Sequence, residues 1–228
     1  LWLNVHGLHD TTVMEEIGRR FGLHPLVLED VANTQQRAKL DEYEGYSYVA
    51  LRTFRYDADT HDAVSDQISL VLGKNFVLSF QERPSGLFEP TRNRLRQGGG
   101  LRHGGAAALL HALIDAIVDQ YFVVVEALSA DIEALEDQLL AGKVWRPTED
   151  INHYRREVQE IRRSIWPLRE VLANLQRLPA TYLTNDTQLY FRDVYDHTLH
   201  VIEHLDALRE LIGSLFDIHQ AHVNHRMN

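Results

Sequence analysis

The residues of this sequence best suited to chemistry are carboxylates that recur at helical spacing. One series has intervals of four, seven, seven and four residues: Asp115, Asp119, Glu126, Glu133 and Asp137. At about 100° per residue, their side chains fall within about 40° of one another on a helix. This acidic stripe is either a solvated polar face or a surface that faces cations. Like charges at i,i+4 destabilise a helix, so a bound dication or a basic neighbouring helix would relieve the repulsion.

A second acidic series lies near the end of the chain and also follows a seven-residue interval. It consists of the pair Asp186 and Asp193 and the run Asp196, Glu203, Glu210 and Asp217. Arginines in another segment could neutralise such acidic faces without any metal: Arg155, Arg156, Arg162, Arg163 and Arg169. The spacing alone leaves both possibilities open.

Other candidate ligands are less regularly placed. Glu29 and Asp30 are adjacent in "LVLEDV", and neighbouring carboxylates on a helix point about 100° apart, so they seldom serve one ion alone. Mg²⁺ nevertheless needs only one or two carboxylates from different elements, because it keeps several waters. Among thirteen histidines, His219 and His222 at i,i+3 could bind Zn²⁺, Ni²⁺ or Co²⁺, and solvated imidazoles are the alternative.

Composition excludes several function classes. The 228 residues carry a net charge of −10, which argues against nucleic acid or anionic lipid as the main partner and favours cationic partners, including metal ions. The sequence has no cysteine for thiolate ligands. It also has no nucleophile elbow, zinc-protease motif or phosphate-binding glycine loop. We therefore predict that the chain is not an enzyme.

The elements that must position these residues fall into two parts. Residues 1–100 mix amphipathic helices with alternating strands, as in "YSYVALRTFRY", and "GKN" predicts a tight hairpin turn. Thr11 or Thr12 is the expected cap of the first helix and Gly22 its end. We predict that "QGGGLRHGG" is a loop and the domain boundary. The expected fold class is α+β, with a small α/β/α domain (1–100) followed by a long-helix stalk (101–228).

The second part is predicted to be three long helices that pack as coiled coils. Apolar residues follow alternating intervals of four and three, as in Leu110, Ile114, Ile117 and Tyr121. Thr148 is the expected cap of the second helix, and Pro167 within it predicts a kink or a locally lost hydrogen bond. No run of about 18 apolar residues occurs, so we expect no membrane span among these residues.

Five segments of the chain form a recognisable series: "FGLHPLVLEDVANTQQRAKLDEYEGYSYVALR", "DQISLVLGKNFVLSFQE", "LIDAIVDQYFVVVEAL", "IWPLREVL" and "YFRDVYDH". Together, and in this order, they resemble the CorA magnesium transporter family. The resemblance runs from about residue 2 to 228 and implies a cytoplasmic portion that ends just before a first transmembrane helix. It also implies a plasma (inner) membrane location, a homopentamer and transport of Mg²⁺ or Co²⁺. The zinc-transporting ZntB branch of the superfamily, and a purely structural helical scaffold, are the alternatives.

The resemblance also implies a role for particular residues. Asp30 in "LEDV" and Asp193 in "RDVYDH" would form the principal pair that binds a regulatory Mg²⁺ between neighbouring copies and stabilises the closed state. Glu29 and Asp115 would belong to a second, nearby site. Asp217 and Asn228 match positions at the inner mouth of the pore. His219 and His222 could add contacts to Co²⁺, Ni²⁺ or Zn²⁺.

Overall fold

The structure is a computed structural model that describes residues 1–144 and 146–227. Five strands form one sheet in the order β1-β5-β4-β3-β2, in which β1 pairs in parallel with β5 and the other pairs are antiparallel. The strands are β1 (Trp2–His6), β2 (Lys39–Tyr43), β3 (Tyr46–Asp57), β4 (Asp62–Gly73) and β5 (Val77–Gln81). The predicted "GKN" turn is confirmed, since it joins β4 to β5.

Of the described helices, two lie between β1 and β2 in the chain, and the other six follow β5. They are α1 (Thr11–Phe21), α2 (Pro25–Ala32), α3 (Glu89–Arg96), α4 (Gly100–His103), α5 (Gly105–Leu140), α6 (Pro147–Ile165), α7 (Leu168–Leu175) and α8 (Asn185–Met227). The long helices α5 and α8 contain 36 and 43 residues. At 1.5 Å per residue, α8 is about 65 Å long.

The sheet has a helical layer on each face, because alternate residues of β3 enter different cores. Tyr48 and Ala50 pack in a cluster with residues of α1 and α2, whereas Val49 and Leu51 pack in a cluster with α5. The second cluster continues without a break through α6, α7 and α8. The predicted α+β fold with an α/β/α part and long helices is therefore confirmed. The division near residue 100 stays a prediction.

The coiled-coil seams predicted from spacing are buried. The seam residues of α5, including Leu110, Ile114 and Ile117, have no exposed surface. α8 packs against α5, α6 and α7 along its own seam, which includes Val201 and Leu205. Each of these helices is therefore held by an apolar stripe along one face.

Three local predictions were wrong. The cap of α1 is Asp10, whose Oδ1 accepts hydrogen bonds from the amides of Thr12 and Val13. The expected loop contains the short helix α4. α6 begins at Pro147, without a side-chain cap from Thr148. The disruption predicted at Pro167 is confirmed, since α6 ends at Ile165 and α7 begins at Leu168, and Pro167 has no amide hydrogen to continue the first helix.

One helix in the described part of the chain, α5, is long and apolar enough to cross a membrane. This differs from the expectation, because several short apolar runs in α5 add up to the required hydropathy. More than half of its most apolar stretch is buried in the protein. Such burial is typical of the core helix of a globular domain.

Candidate metal-binding sites

Glu29 and Asp30 line an open cleft of about 630 Å³ between α2, β2 and α7. Pro25 occupies the first turn of α2, where its missing amide hydrogen costs nothing. Val27 and Val31, four residues apart, are fully buried and fix the inner face of α2. The two carboxylates between them in sequence therefore point away from the core, toward the cleft.

Asp30 already has a cation beside it within the protomer. Its carboxylate accepts hydrogen bonds from Lys39 Nζ at 2.6 Å and from Gln36 Nε2 at 2.8 Å. Lys39 Nζ also lies 2.8 Å from Asp41. Burial lowers the pKa of Lys39, but the hydrogen bonds to Asp30 and Asp41 outweigh it and raise that pKa above its usual range. A dication at Asp30 must therefore displace or share this ammonium group.

We expect Lys39→Met to strengthen Mg²⁺ binding at Asp30 several-fold, because the competing cation is removed. Without Mg²⁺ the same variant should lose about 1 kcal/mol of unfolding free energy, since two carboxylates lose a partly exposed partner. Calorimetric titration and thermal melts measure the two effects. Lys74→Met, in the exposed β4–β5 turn, is the matched control. Equal Mg²⁺ affinity in both variants would show that Lys39 does not compete.

Asp115 and Asp193 lie in a second acidic region, on the packed helices α5 and α8. Asp193 is exposed, with its Oδ2 3.9 Å from His197 Nε2. Asp115 is half-buried and, together with Asp119, lines a cavity of about 410 Å³ between α3 and α5. The ring of His197 meets that of Phe122 edge-on, with centroids 6.2 Å apart.

The fold leaves the carboxylates of this second region poorly compensated. Burial raises the pKa of Asp115, and the nearby charge of Asp193 raises it further, whereas His197 and Arg94 oppose the rise. Burial and then the charge of Asp115 raise the pKa of Asp119. Both charged forms are therefore disfavoured in the folded protein, and a bound dication would offset that cost.

Asp115→Asn is expected to stabilise the metal-free protein at pH 7, by roughly 0.5 kcal/mol or 1–2 °C in melting temperature. The folded-state pKa of Asp115 is raised, so the wild-type carboxyl favours folding only when protonated, and stability falls as pH rises through that pKa. The gain from Asn should therefore shrink as the pH approaches 4. Thermal melts at both pH values measure it, and a gain that grows at low pH would contradict the expectation.

The acidic stripe of α5 is not neutralised by the arginines of α6. Among residues 1–144 and 146–227, none of its five carboxylates forms an ion pair. Arg162 instead pairs with Asp206 of α8 at 2.7 Å. The guanidinium groups of Arg162 and Arg169 also lie over the Trp166 ring, 4.6 and 4.5 Å from its centroid. Internal neutralisation therefore does not explain this stripe.

The predicted residues near the end of α8 lie in two environments. Asp217 is exposed. His219 and His222 line a small cavity of about 90 Å³ with apolar residues such as Leu139 and Val144. His219 Nε2 lies 3.2 Å from the hydroxyl of Thr148. Asn228 lies outside the described residues.

The structure thus brings some of the predicted ligands together and keeps others apart. Asp193 is near enough to Asp115 to raise the pKa of the Asp115 carboxyl. In the part of the chain that is described, no hydrogen bond or ion pair joins Glu29 or Asp30 to either of them. Two groups of carboxylates are therefore presented separately by one protomer.

Sequence reasoning missed two features. The first is Lys39, which is nine residues from Asp30 and meets it only through the β2 strand. The second is a cluster of Asp62, His153 and Glu157. The i,i+4 spacing of His153 and Glu157 could have indicated a pair of metal ligands on one helix face. Asp62 joins that pair only through the tertiary fold.

Comparison with known proteins shows similarity along the entire chain. A family model described as "CorA-like Mg²⁺ transporter protein" matches residues 1–228. The "Cobalt/magnesium transport protein CorA" of Thermotoga maritima is 40% identical over 228 residues, which are all of this chain and 65% of that protein. The chain thus spans just under two thirds of that relative.

Solved structures show the same fold at low sequence identity. The soluble domain of CorA from Methanocaldococcus jannaschii matches with a TM-score of 0.83 and 19% identity, over 96% of this chain and 87% of that one. The ZntB cytoplasmic domain of Vibrio parahaemolyticus matches with a TM-score of 0.78 and 13% identity, over 98% and 88%.

Proposed function

The chain belongs to the family of CorA-like Mg²⁺ transporter proteins, and from this premise we propose that it senses divalent cations for a Mg²⁺/Co²⁺ channel. In this proposal it is the cytoplasmic part of a homopentamer in the plasma membrane. Mg²⁺ bound between neighbouring copies stabilises the closed state. Loss of Mg²⁺ from these sites loosens the ring and allows conduction.

The separation of the two carboxylate groups carries this proposal. Among the described residues of a protomer, no hydrogen bond or ion pair joins Asp30 on α2 to Asp193 on α8. A head-to-tail cyclic interface places one surface of a copy against a different surface of the next. We propose that this interface brings Asp30 of one copy to Asp193 of its neighbour, with Mg²⁺ between them. Glu29 and Asp115 would form the second site beside it.

Electrostatics explains why the ion would control assembly. Each copy carries a net charge of −10, so copies in a ring repel one another. Burial and repulsion by nearby carboxylates also disfavour the charged forms of Asp115 and Asp119, as their raised pKa values show. A hard dication offsets both costs and keeps its remaining waters, so a few carboxylates suffice to hold it.

We propose that α8 leads toward the pore, with Asp217 near its inner mouth. Rings of acidic side chains attract cations at channel entrances, and Asp217 is exposed as such a ring requires. Asn228 is proposed for the same region on the basis of the family resemblance. The substrates and activity of the whole protein remain part of this proposal.

Two alternatives receive less support. A purely structural scaffold requires the acidic stripe of α5 to be neutralised by arginines, and no such pairs occur between described residues. Zinc transport is suggested only by a likeness in fold at 13% identity. The 40% identity to a cobalt/magnesium transport protein favours Mg²⁺ or Co²⁺. Co²⁺, Ni²⁺ and Zn²⁺ remain candidates for His219 and His222.

The test is the response of the assembled wild-type chain to Mg²⁺. A ligand at roughly ten times its dissociation constant adds about 1.4 kcal/mol to the unfolding free energy, or a rise of about 3–6 °C in melting temperature. Light scattering should show a larger assembly with Mg²⁺ than with a chelator. The proposal would be refuted if neither Mg²⁺ nor chelator changed the melting temperature or the size of the assembled protein.

A further inference from the structure

A separate cluster of metal-ligand side chains lies where the β3–β4 hairpin meets α6. Asp62 begins β4, and His153 and Glu157 stand one turn apart on α6. One ligand atom from each of the three side chains lies within 4.8 Å of the other two. None of these residues belongs to the proposed Mg²⁺ sites.

Packing holds the two helical ligands toward the hairpin. Tyr154 and Val158, which follow them in sequence, are buried and fix the rotation of α6. Glu157 Oε2 accepts a hydrogen bond from the Ala63 amide at 2.7 Å. That bond orients the carboxylate and leaves its second oxygen for a cation.

The hairpin side of the cluster is also held in place. His61 Nδ1 lies 3.0 Å from Asp131 Oδ2 on α5, and the Tyr56 hydroxyl contacts both groups. The carbonyl oxygen of His61 lies 3.1 Å from His153 Nε2, and Asp62 Oδ1 lies 3.8 Å from the same nitrogen. A fourth possible ligand, a backbone oxygen, is thus at the cluster.

The charges of the cluster are unbalanced without a cation. Among described residues, neither Asp62 nor Glu157 pairs with a Lys or Arg, and His153 is the one basic group within ion-pair distance of Asp62. Protonation of His153 is the alternative that would balance part of this negative charge without a metal ion. A dication about 2.1 Å from each ligand holds them roughly 3.0–3.4 Å apart, so movements of about 1–2 Å would close this site.

The donor set indicates the kind of ion. Mg²⁺ takes oxygen ligands almost exclusively, whereas an imidazole combined with carboxylates suits first-row transition dications. We propose that Asp62, His153 and Glu157 form a site for Co²⁺, Ni²⁺ or Zn²⁺ within a single protomer. Bound metal would clamp the β3–β4 hairpin to α6. The site goes beyond the proposed Mg²⁺ sensing and does not depend on assembly.

The experiment is a titration of the full chain with Co²⁺, in which binding is measured by calorimetry and by the visible absorption of the bound ion. Beside any Co²⁺ bound at the proposed intersubunit carboxylates, we expect one site per chain whose absorption shows nitrogen and oxygen ligands, weakened at least tenfold by His153→Gln and by Asp62→Asn. His200→Gln, at an exposed position on α8, is the matched control and should bind as wild type does. Circular dichroism confirms that each variant is folded. If one variant does not fold, the other decides the result.

The other histidines of the chain provide the contradicting outcome. The double variant His219→Gln/His222→Gln should retain the site. Loss of Co²⁺ binding in that variant, with wild-type binding in His153→Gln, would overturn the proposal, as would a folded wild type that binds no Co²⁺ at 1 mM. Neither result affects the Mg²⁺ proposal, which is tested separately through Asp30 and Asp193.

Discussion

Asp193→Ala is expected to abolish the rise in melting temperature that Mg²⁺ produces in the assembled protein. The physical reason is that Ala removes one of the two carboxylates proposed to hold the ion between copies. The remaining partner, Asp30, would then pair only with Lys39 of its own protomer. The expected loss is the full ligand-dependent gain, about 3–6 °C at tenfold saturation. Differential scanning calorimetry with Mg²⁺ and with chelator measures it.

Asp196→Ala is the matched control, because Asp196 is an exposed carboxylate less than one turn away on α8. Both substitutions remove one negative charge from the same helix. A general effect of charge would therefore reduce the Mg²⁺ response equally in the two variants. Asp30→Ala should reproduce the effect of Asp193→Ala. A normal Mg²⁺ response in Asp193→Ala would exclude this residue from the sensor.

Phe191→Ala is expected to be the most destabilising of the substitutions considered, at about 3–5 kcal/mol. Phe191 has no exposed surface, and its ring meets that of His111 at 5.6 Å where α8 packs on α5. Its removal would leave a cavity at the interface that positions Asp193. Chemical denaturation of the Mg²⁺-free protein measures the loss directly.

Tyr190→Ala provides the comparison for this prediction. Tyr190 is the neighbouring aromatic residue, but 54% of its surface is exposed. Its truncation should cost less than about 1 kcal/mol. If the two variants were equally stable, the packing of α8 on α5 would not be the interface that supports the second acidic region.

Helix positions could be predicted from the sequence because burial follows a simple period. Every seam residue named for α5 is buried, since a helix that packs along one stripe must place apolar residues at intervals of three and four. The residues that mark turns and helix ends could also be identified from the local sequence. Gly22 ends α1 in the left-handed conformation, at φ 66°, which glycine adopts without strain.

Features that depend on distant residues could not be predicted in this way. Capping depends on a particular side chain reaching a free amide, so Asp10 could replace the expected threonines. The ion pair of Asp30 with Lys39 and the approach of Asp62 to α6 both arise from strand placement. Hydrophobic spacing carries no information about either.

Unlike the fold, the roles of the candidate carboxylates were not predicted from residue patterns. Asp30, Asp193, Glu29 and Asp115 were assigned from a family resemblance, and they stay proposals. The structure adds physical reasons to test them, above all the raised pKa of Asp115 and the competing ammonium of Lys39. If Mg²⁺ binds at Asp30 as we propose, it competes there with the ammonium group of Lys39.

A crystal of the assembled chain soaked in Co²⁺ would test the proposed metal site between subunits most directly. We expect an anomalous peak between Asp30 of one copy and Asp193 of its neighbour, with Lys39 Nζ moved away from Asp30. A ring in which both carboxylates lie far from every acidic side chain of adjacent copies, with no peak beside them, would contradict it.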